Sequence, residues 1–386
     1  MECGICGKHY SDDLLELLSE VYGPRLPGVL ERLSTPPSRY AVRVNTLKGN
    51  VDEVVSFFRA IGVDCRVHEQ IEEAVMIAVE GPFKVDPSGN SITAKKHAAE
   101  SVMLGSNLYM PGIMRMQRIK VGETVRVEDP RGHLVGAGIS KIHSGLRGAK
   151  GIAVSTSQSI YRLPPIRETI LFSEGKLQEQ SLPAILTSRV LDPQPGEIIV
   201  DMCAAPGGKA AHIAQLQCEK GRVLAFEHSP RRASRMTEEL GRLGIRSVLV
   251  ERADSRYLDR DYPTLRADRV LVDPPCTALG VRPKLYEEAT AAEVFSSAAF
   301  QKQFLRAAAR IVKPLGVIVY STCTLSIQEN EGVVRFAVEE LGLELEEPPI
   351  RVNVAGQGIG FKECIRFDPD VSETPGYFIA RFTRNR

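Results

Sequence analysis

Apolar residues recurring every three to four positions mark helices in this chain, and alternating or short continuous apolar runs mark strands. Leu14, Leu15, Leu17 and Leu18 give residues 11–33 a broad apolar face, so a helix is expected there, ended by Thr35-Pro36-Pro37-Ser38. Tyr40–Thr46 alternates as a strand does, Val51–Ile61 is amphipathic with helical spacing, and Cys65–His68 and Ala74–Val79 read as further strands. This β-α-β-β order predicts a small α+β unit over 39–91.

From about 92 the texture changes. Short apolar stretches at Leu108–Met110, Thr124–Val127 and Leu134–Ile139 are separated by Pro111-Gly112, Val121-Gly122 and Arg131-Gly132. Short strands punctuated by turns predict a compact β-barrel-like domain ending near 160. Residues 158–186 read as a connection followed by a helix. From 190 onward, strands and helices alternate as in a doubly wound α/β domain. Strands are expected at Ile198–Met202, Arg222–Glu227, Ser247–Glu251, Val270–Asp273, Gly316–Tyr320 and Tyr377–Phe382. Helices are expected at Ala210–Leu216, Pro230–Leu243, Ala291–Val312 and Glu329–Leu341.

Composition adds bounds. At 386 residues, 43% hydrophobic and 25% charged, the chain suits two or three domains of a soluble protein. No apolar run approaches the ~18 residues of a membrane span and no signal-peptide pattern opens the chain, so a cytoplasmic location is expected. Eight scattered cysteines form no disulfide framework and are expected to be reduced. Cys3, Cys6 and His9 resemble half a zinc site, but no second Cys-x-x-Cys exists, so no metal is expected. Ten Lys and Arg against four Asp and Glu give residues 92–160 a net +6 in a chain of net +1. A basic module on a mildly acidic body fits nucleic-acid backbone binding. Lys95, Lys96, Arg115, Arg118, Lys120, Lys141, Arg147 and Lys150 are its candidate phosphate contacts.

The α/β part holds a candidate cofactor pocket. Each of its first four strands ends in an acid or leads into one: Asp201, Glu227, Asp254 and Asp273. After the first, Asp-Met-Cys-Ala-Ala-Pro-Gly-Gly-Lys (201–209) places glycines where a ligand can approach the backbone, before a helix whose free N–H groups suit a carboxylate. Glu227, some twenty residues on, can bind the hydroxyls of a ribose. The spacing is not the Gly-x-Gly-x-x-Gly of an NAD site, so S-adenosylmethionine is the expected cofactor and an oxidoreductase is disfavoured.

Two cysteines follow strands: Cys276 in Val-Asp-Pro-Pro-Cys (272–276) and Cys323 in Tyr-Ser-Thr-Cys-Thr (320–324). Carbon 5 of cytosine is a poor nucleophile until a thiolate adds to carbon 6 and makes an enamine. Two thiols beside a methyl-donor pocket therefore suggest methylation of cytosine carbon 5. Asp273 is placed to bind the cytosine amino edge, and protonation near ring nitrogen 3 would favour the adduct. Methylases of exocyclic amines follow Asp-Pro-Pro with an aromatic residue, and Cys276 stands there instead. Cys65, Cys218 and Cys364 read as small buried hydrophobes, and Cys203 as a packing residue within the glycine turn.

These motifs resemble the Nop/Sun (NSUN) family of RNA cytosine-5 methyltransferases. The resemblance runs through Ala41-Val42-Arg43-Val44-Asn45-Thr46, Pro193-Gln194-Pro195-Gly196, Cys203–Lys209, Asp273–Cys276 and Ser321–Thr324. It implies a Rossmann-like methyltransferase core over 161–386, an RRM-like subdomain within 1–91 and a PUA domain over 92–160. It implies further that Cys323 is the nucleophile, that Cys276 assists breakdown of the adduct, and that Lys209 lies near the target base. Cys203, Ala204, Ala205, Pro206, Gly207, Gly208, Lys209, Glu227, Asp254 and Asp273 would bind S-adenosylmethionine.

An inserted PUA domain, with Asn107-Leu108-Tyr109-Met110-Pro111-Gly112 as its signature-like stretch, is similar to the tRNA-specific branch. Val281-Arg282-Pro283 and Gly376-Tyr377-Phe378-Ile379-Ala380 point the same way. That branch methylates cytosine 72 of certain tRNAs and uses the PUA domain to hold the CCA end. The implied partner is thus the tRNA acceptor stem and CCA end, with no membrane and no obligate protein partner. Two departures stand out: Glu227 where Asp is usual, and Thr277-Ala278-Leu279 where Ser-Gly-Met is more common. A ribosomal-RNA methylase and a non-catalytic RNA-binding factor are the rival readings.

Overall fold

Strands buried on both faces build the centre of the molecule. In the computed structural model, which describes residues 10–143 and 150–385, five parallel strands lie in the order Val248–Glu251, Arg222–Phe226, Ile198–Asp201, Ala267–Val272 and Val312–Thr322. Ile199, Val200, Val270, Leu271 and Ile318 are inaccessible to solvent, because helices cover both faces, and this is why these segments read as continuous apolar runs. Tyr377–Arg384 pairs antiparallel with the last of them, and Phe361–Phe367 and Gly356–Gly358 follow at that edge.

Strand order reverses between Ile198–Asp201 and Ala267–Val272. Ligands of such sheets bind in the crevice at the carboxyl ends beside that reversal. Asp201, Glu227, Asp254 and Asp273 all stand at those ends. The doubly wound architecture expected from the sequence is therefore observed.

The small sheet runs Leu177–Glu179, Arg39–Val44, Ile71–Ala78, Cys65–His68, all antiparallel. Helix Val51–Ala60, capped by Asn50, packs Val54, Val55 and Phe58 against Val42, Val44, Val75 and Ile77. Its fourth strand comes from beyond the inserted domain, where a connection was expected. The helix expected within 158–186 forms at Leu182–Leu191. The inserted six-stranded sheet begins at Asn90–Ala94 and ends at Ile152–Ser159, with helix Lys96–Met103 against it. A Cβ on Gly138 would lie 2.1 Å from the Ser155 carbonyl oxygen, so two of these strands approach as only glycine allows. Entry and exit of the insertion are bridged by Glu80 and Arg162.

The helix expected over 11–33 is two. Asp12–Tyr22 stops at Gly23, whose φ of 49° favours glycine, and Pro24 lacks the N–H to continue; Leu26–Ser34 follows. Both helices pack against Leu279, Val294 and Leu325 of the α/β domain rather than on the small sheet. Cys3, Cys6, His9 and Arg147 lie outside the described residues. Among the described residues no helix is long and apolar enough to cross a membrane.

Candidate active site

The turn after Ile198–Asp201 is tight and leads straight into a helix. Gly207, at φ 104°, precedes helix Gly208–Leu216, and Cys203, Ala204, Ala205 and Pro206 line the turn before it. From the small sheet, buried Arg43 donates to Gly208 O at 3.3 Å, to Gln180 Oε1 at 2.8 Å and to Gln215. The small sheet thereby fixes the start of this helix. Asp201 is 1% exposed; its Oδ1 accepts from Cys203 N at 3.3 Å, while Oδ2 has no partner. Burial first, then the charge of Asp273, pushes its pKa up to about 7.

Glu227 Oε1 accepts from Ser229 N at 2.8 Å, and Arg232 lies 3.3 Å from Oε2. Asp254 differs from a free acceptor: Arg256 donates to it at 2.9 and 2.6 Å and holds its pKa below the ordinary value. A ligand at this acid would compete with Arg256.

Asp273 is the junction between this pocket and the thiols. Its Oδ2 pairs with Lys209 Nζ at 2.6 Å, and its Oδ1 accepts from Ser321 Oγ at 2.8 Å and Tyr377 OH at 3.3 Å. Burial disfavours the Lys209 ammonium, but Asp273 and Tyr377 outweigh it and hold the Lys209 pKa well above its usual value. Lys209 is therefore a fixed cation.

Cys276 and Cys323 meet with Sγ atoms 3.4 Å apart, and both are free thiols. Their environments differ. The hydrogen bond from Cys276 lowers the Cys323 pKa against burial and Asp273, helped by Lys209 and Lys284. The Cys276 thiol is raised well above normal by that same hydrogen bond, by burial, by the Cys323 charge and by Glu329. Of the two thiols, Cys323 is therefore the one that ionises more readily, and Cys276 the one that keeps its proton.

Buried Glu329 shapes the loop after Cys276. It accepts from Thr277 N at 2.9 Å, Gln301 Nε2 at 2.9 Å, Ser326 Oγ at 3.0 Å and Thr324 Oγ1 at 3.1 Å, and also from the Thr277 hydroxyl. Ala278 takes φ 54°, in the left-handed region that favours glycine, at a cost of about 1–2 kcal/mol. Glu329→Ala strands several buried donors, and it is expected to destabilise the protein by about 3 kcal/mol or more. Urea unfolding of the two proteins measures this; a change within about 0.5 kcal/mol, the scatter of surface substitutions, would refute the role.

Among the candidate phosphate contacts, Arg115, Arg118, Lys120, Lys141 and Lys150 are exposed. Lys95 is also exposed, with Nζ donating to Pro111 O at 2.8 Å, and half-buried Lys96 has Nζ 4.9 Å from the Tyr286 ring centre. Tyr377, Ser321, Glu329 and Arg43 were not singled out for the site by sequence reasoning. Arg43, Ser321 and Tyr377 stood within motif stretches without being given a role, and Ser326-Ile-Gln-Glu329 has the Ser-x-x-Glu spacing of a capping box.

Comparison with known proteins supplies the remaining findings. The profile of the family described as "16S rRNA methyltransferase RsmB/F" matches residues 188–383, and that of the PUA domain matches 90–156. A tRNA (cytosine(72)-C(5))-methyltransferase of Pyrococcus horikoshii is 38% identical, covering 97% of each chain. The tRNA (cytosine(72)-C(5))-methyltransferase NSUN6 of Homo sapiens is 32% identical over 90% of this chain and 83% of its own. The crystal structure of NSun6 from Pyrococcus horikoshii with SFG superimposes with a TM-score of 0.90 at 37% identity, covering 97% of this chain and 98% of that one.

Proposed function

Because the chain belongs to the RsmB/F methyltransferase family, the Nop/Sun family whose motifs it carries, we propose that it methylates carbon 5 of cytosine 72 in the tRNA acceptor stem, using S-adenosylmethionine and a covalent adduct on Cys323. The observation that carries this reading is the thiol pair, 3.4 Å apart, beside the Asp273–Lys209 pair at the sheet's carboxyl ends.

The pocket suits S-adenosylmethionine. Asp201 offers an unpartnered buried oxygen, Glu227 an acid for a ribose, and Gly207-Gly208 a helix start whose N–H groups suit a carboxylate. When bound, that cofactor supplies an electrophilic methyl group to carbon 5. The chain's own groups do the rest. The Cys323 thiolate bonds to carbon 6, and the ring's 5,6 double-bond electrons become available at carbon 5. Asp273 Oδ2 keeps a lone pair for the cytosine amino group, and Lys209 supplies positive charge beside the ring as electrons shift toward nitrogen 3.

The second thiol completes the cycle. Once Cys323 is a neutral thioether, its hydrogen bond and its charge no longer raise the Cys276 pKa, while burial and Glu329 still do, and the Cys276 proton leaves to solvent before the elimination. Cys276 then accepts the proton from carbon 5, the carbon 6–sulfur bond breaks, and Cys323 departs as thiolate. Each turnover releases one proton. The exposed Arg115, Arg118, Lys120, Lys141 and Lys150, with Arg147, would hold the phosphates of the tRNA 3′ end, whose unpaired bases suit sequence reading.

Methyl-tritiated S-adenosylmethionine with tRNA transcripts tests the substrate. Label is expected on transcripts with cytosine 72 and at background with uridine 72. Label on small-subunit ribosomal RNA alone, the substrate named in the family description, would keep the chemistry and overturn the tRNA reading.

A further inference from the structure

The loop that carries Cys276 continues into the PUA domain, and it is anchored at nearly every second residue on the way. Gly280 N donates to Cys323 O at 2.9 Å, and Gly280 O accepts from Gly376 N at 2.8 Å. A Cβ on Gly280 would meet the Gly376 carbonyl oxygen at 2.2 Å, so the two backbones cross in contact. Arg282 is 5% exposed and donates to the carbonyls of Thr35, Pro36 and Pro369. Lys284 N donates to Leu33 O at 2.8 Å, while its ammonium holds Ala278 O at 2.9 Å and pairs with Glu287.

The next two residues leave the catalytic domain. Leu285 and Tyr286 are 3% and 4% exposed, buried in the apolar core of the PUA domain with Ala99, Val102 and Val127. Leu285 N donates to Glu100 Oε1 at 3.1 Å. Two cations of that domain stand over the Tyr286 ring, Arg131 at 3.9 Å and Lys96 at 4.9 Å from its centre. The PUA domain is also held at its entry and exit, where Glu80 and Arg162 pair through their backbones. A body held there alone could swivel about that hinge. A second attachment on the catalytic loop removes the freedom.

We propose that Leu285 and Tyr286 form a hook that sets the distance from the PUA domain to Cys323, so that Tyr286 is a positioning residue deciding which nucleotide, counted from the RNA 3′ end, reaches the thiolate. This rests on the reading that the PUA domain holds that end. The physical demand is strict, because misplacement of the reacting atoms by about 1 Å can cost ~100-fold in rate.

The test uses the full chain with acceptor-stem transcripts carrying cytosine at 72 and at both neighbouring positions. Their 3′ ends are native, one nucleotide longer or one shorter, and methylated positions are mapped. Wild type and Tyr286→Phe should favour the native length by at least about 10-fold and label position 72. Tyr286→Ala should reduce that preference to below about 3-fold and spread label to the neighbours. Arg131→Ala, which uncovers one face of the ring, should fall between them; it decides the matter if Tyr286→Ala does not fold. Unchanged length preference in folded Tyr286→Ala, or in Arg131→Ala where that variant decides, would overturn the hook and leave the methylation reading standing. Wild type indifferent to 3′ length, yet labelling 72, would overturn the hook through its premise. Wild type failing to label 72 on any transcript would overturn both hook and proposed function.

Discussion

Cys323→Ala is expected to lower methyl transfer by at least about three orders of magnitude, with tRNA binding little changed. The size follows from what the thiolate does. Without an adduct at carbon 6, carbon 5 cannot accept a methyl group, and loss of a nucleophile from a concerted catalytic group typically costs that much or more. No neighbour can substitute. Cys276, 3.4 Å away, loses the Cys323 hydrogen bond and charge in this variant, but burial and Glu329 still hold its pKa up. The rate of tritium incorporation measures the loss, and gel-shift titration checks binding. A variant that retains a tenth of wild-type turnover, roughly 1.4 kcal/mol of barrier, would contradict the assignment.

Cys276→Ala is expected to do something different: to stop the cycle with RNA attached. Cys323 remains, with Lys209 and Lys284 still favouring its thiolate. Loss of the S–H donor raises the Cys323 pKa, so formation of the adduct slows and its pH dependence moves upward. The step that fails outright is removal of the proton from carbon 5, and loss of a general base typically costs about 10²–10⁴-fold. A protein–RNA band resistant to denaturant should therefore accumulate with this variant and be absent from Cys323→Ala. Normal turnover by Cys276→Ala would refute the division of labour between the thiols.

The parts of the fold that could be read ahead are those whose burial is locally encoded. Ile198–Asp201 and Ala267–Val272 are apolar on both faces and announce parallel strands. Gly356–Gly358 and Leu177–Glu179 are three residues each, too short for a local period to reveal; the first pairs with the neighbouring Phe361–Phe367, the second with Val42–Val44 far back in the chain. The same division runs through the site. Asp201–Lys209, Asp273–Cys276 and Ser321–Thr324 are contiguous and stand out as motifs. Tyr377, which donates to Asp273, and Arg43, which holds the Gly208 carbonyl, reach the site only through sheet register and domain packing. Burial of Leu285 and Tyr286 in another domain was equally invisible: in sequence they are an ordinary apolar pair after Pro283-Lys284.

The most direct test of the central claim is to react the wild-type protein and S-adenosylmethionine with an acceptor-stem transcript bearing 5-fluorocytidine at position 72. Fluorine at carbon 5 leaves no proton to remove, so the adduct cannot break down. Nuclease and protease digestion followed by mass spectrometry should find the methylated fluoronucleotide on the peptide that contains Cys323. The same mass on the peptide containing Cys276, or no covalent species at all, would contradict the account.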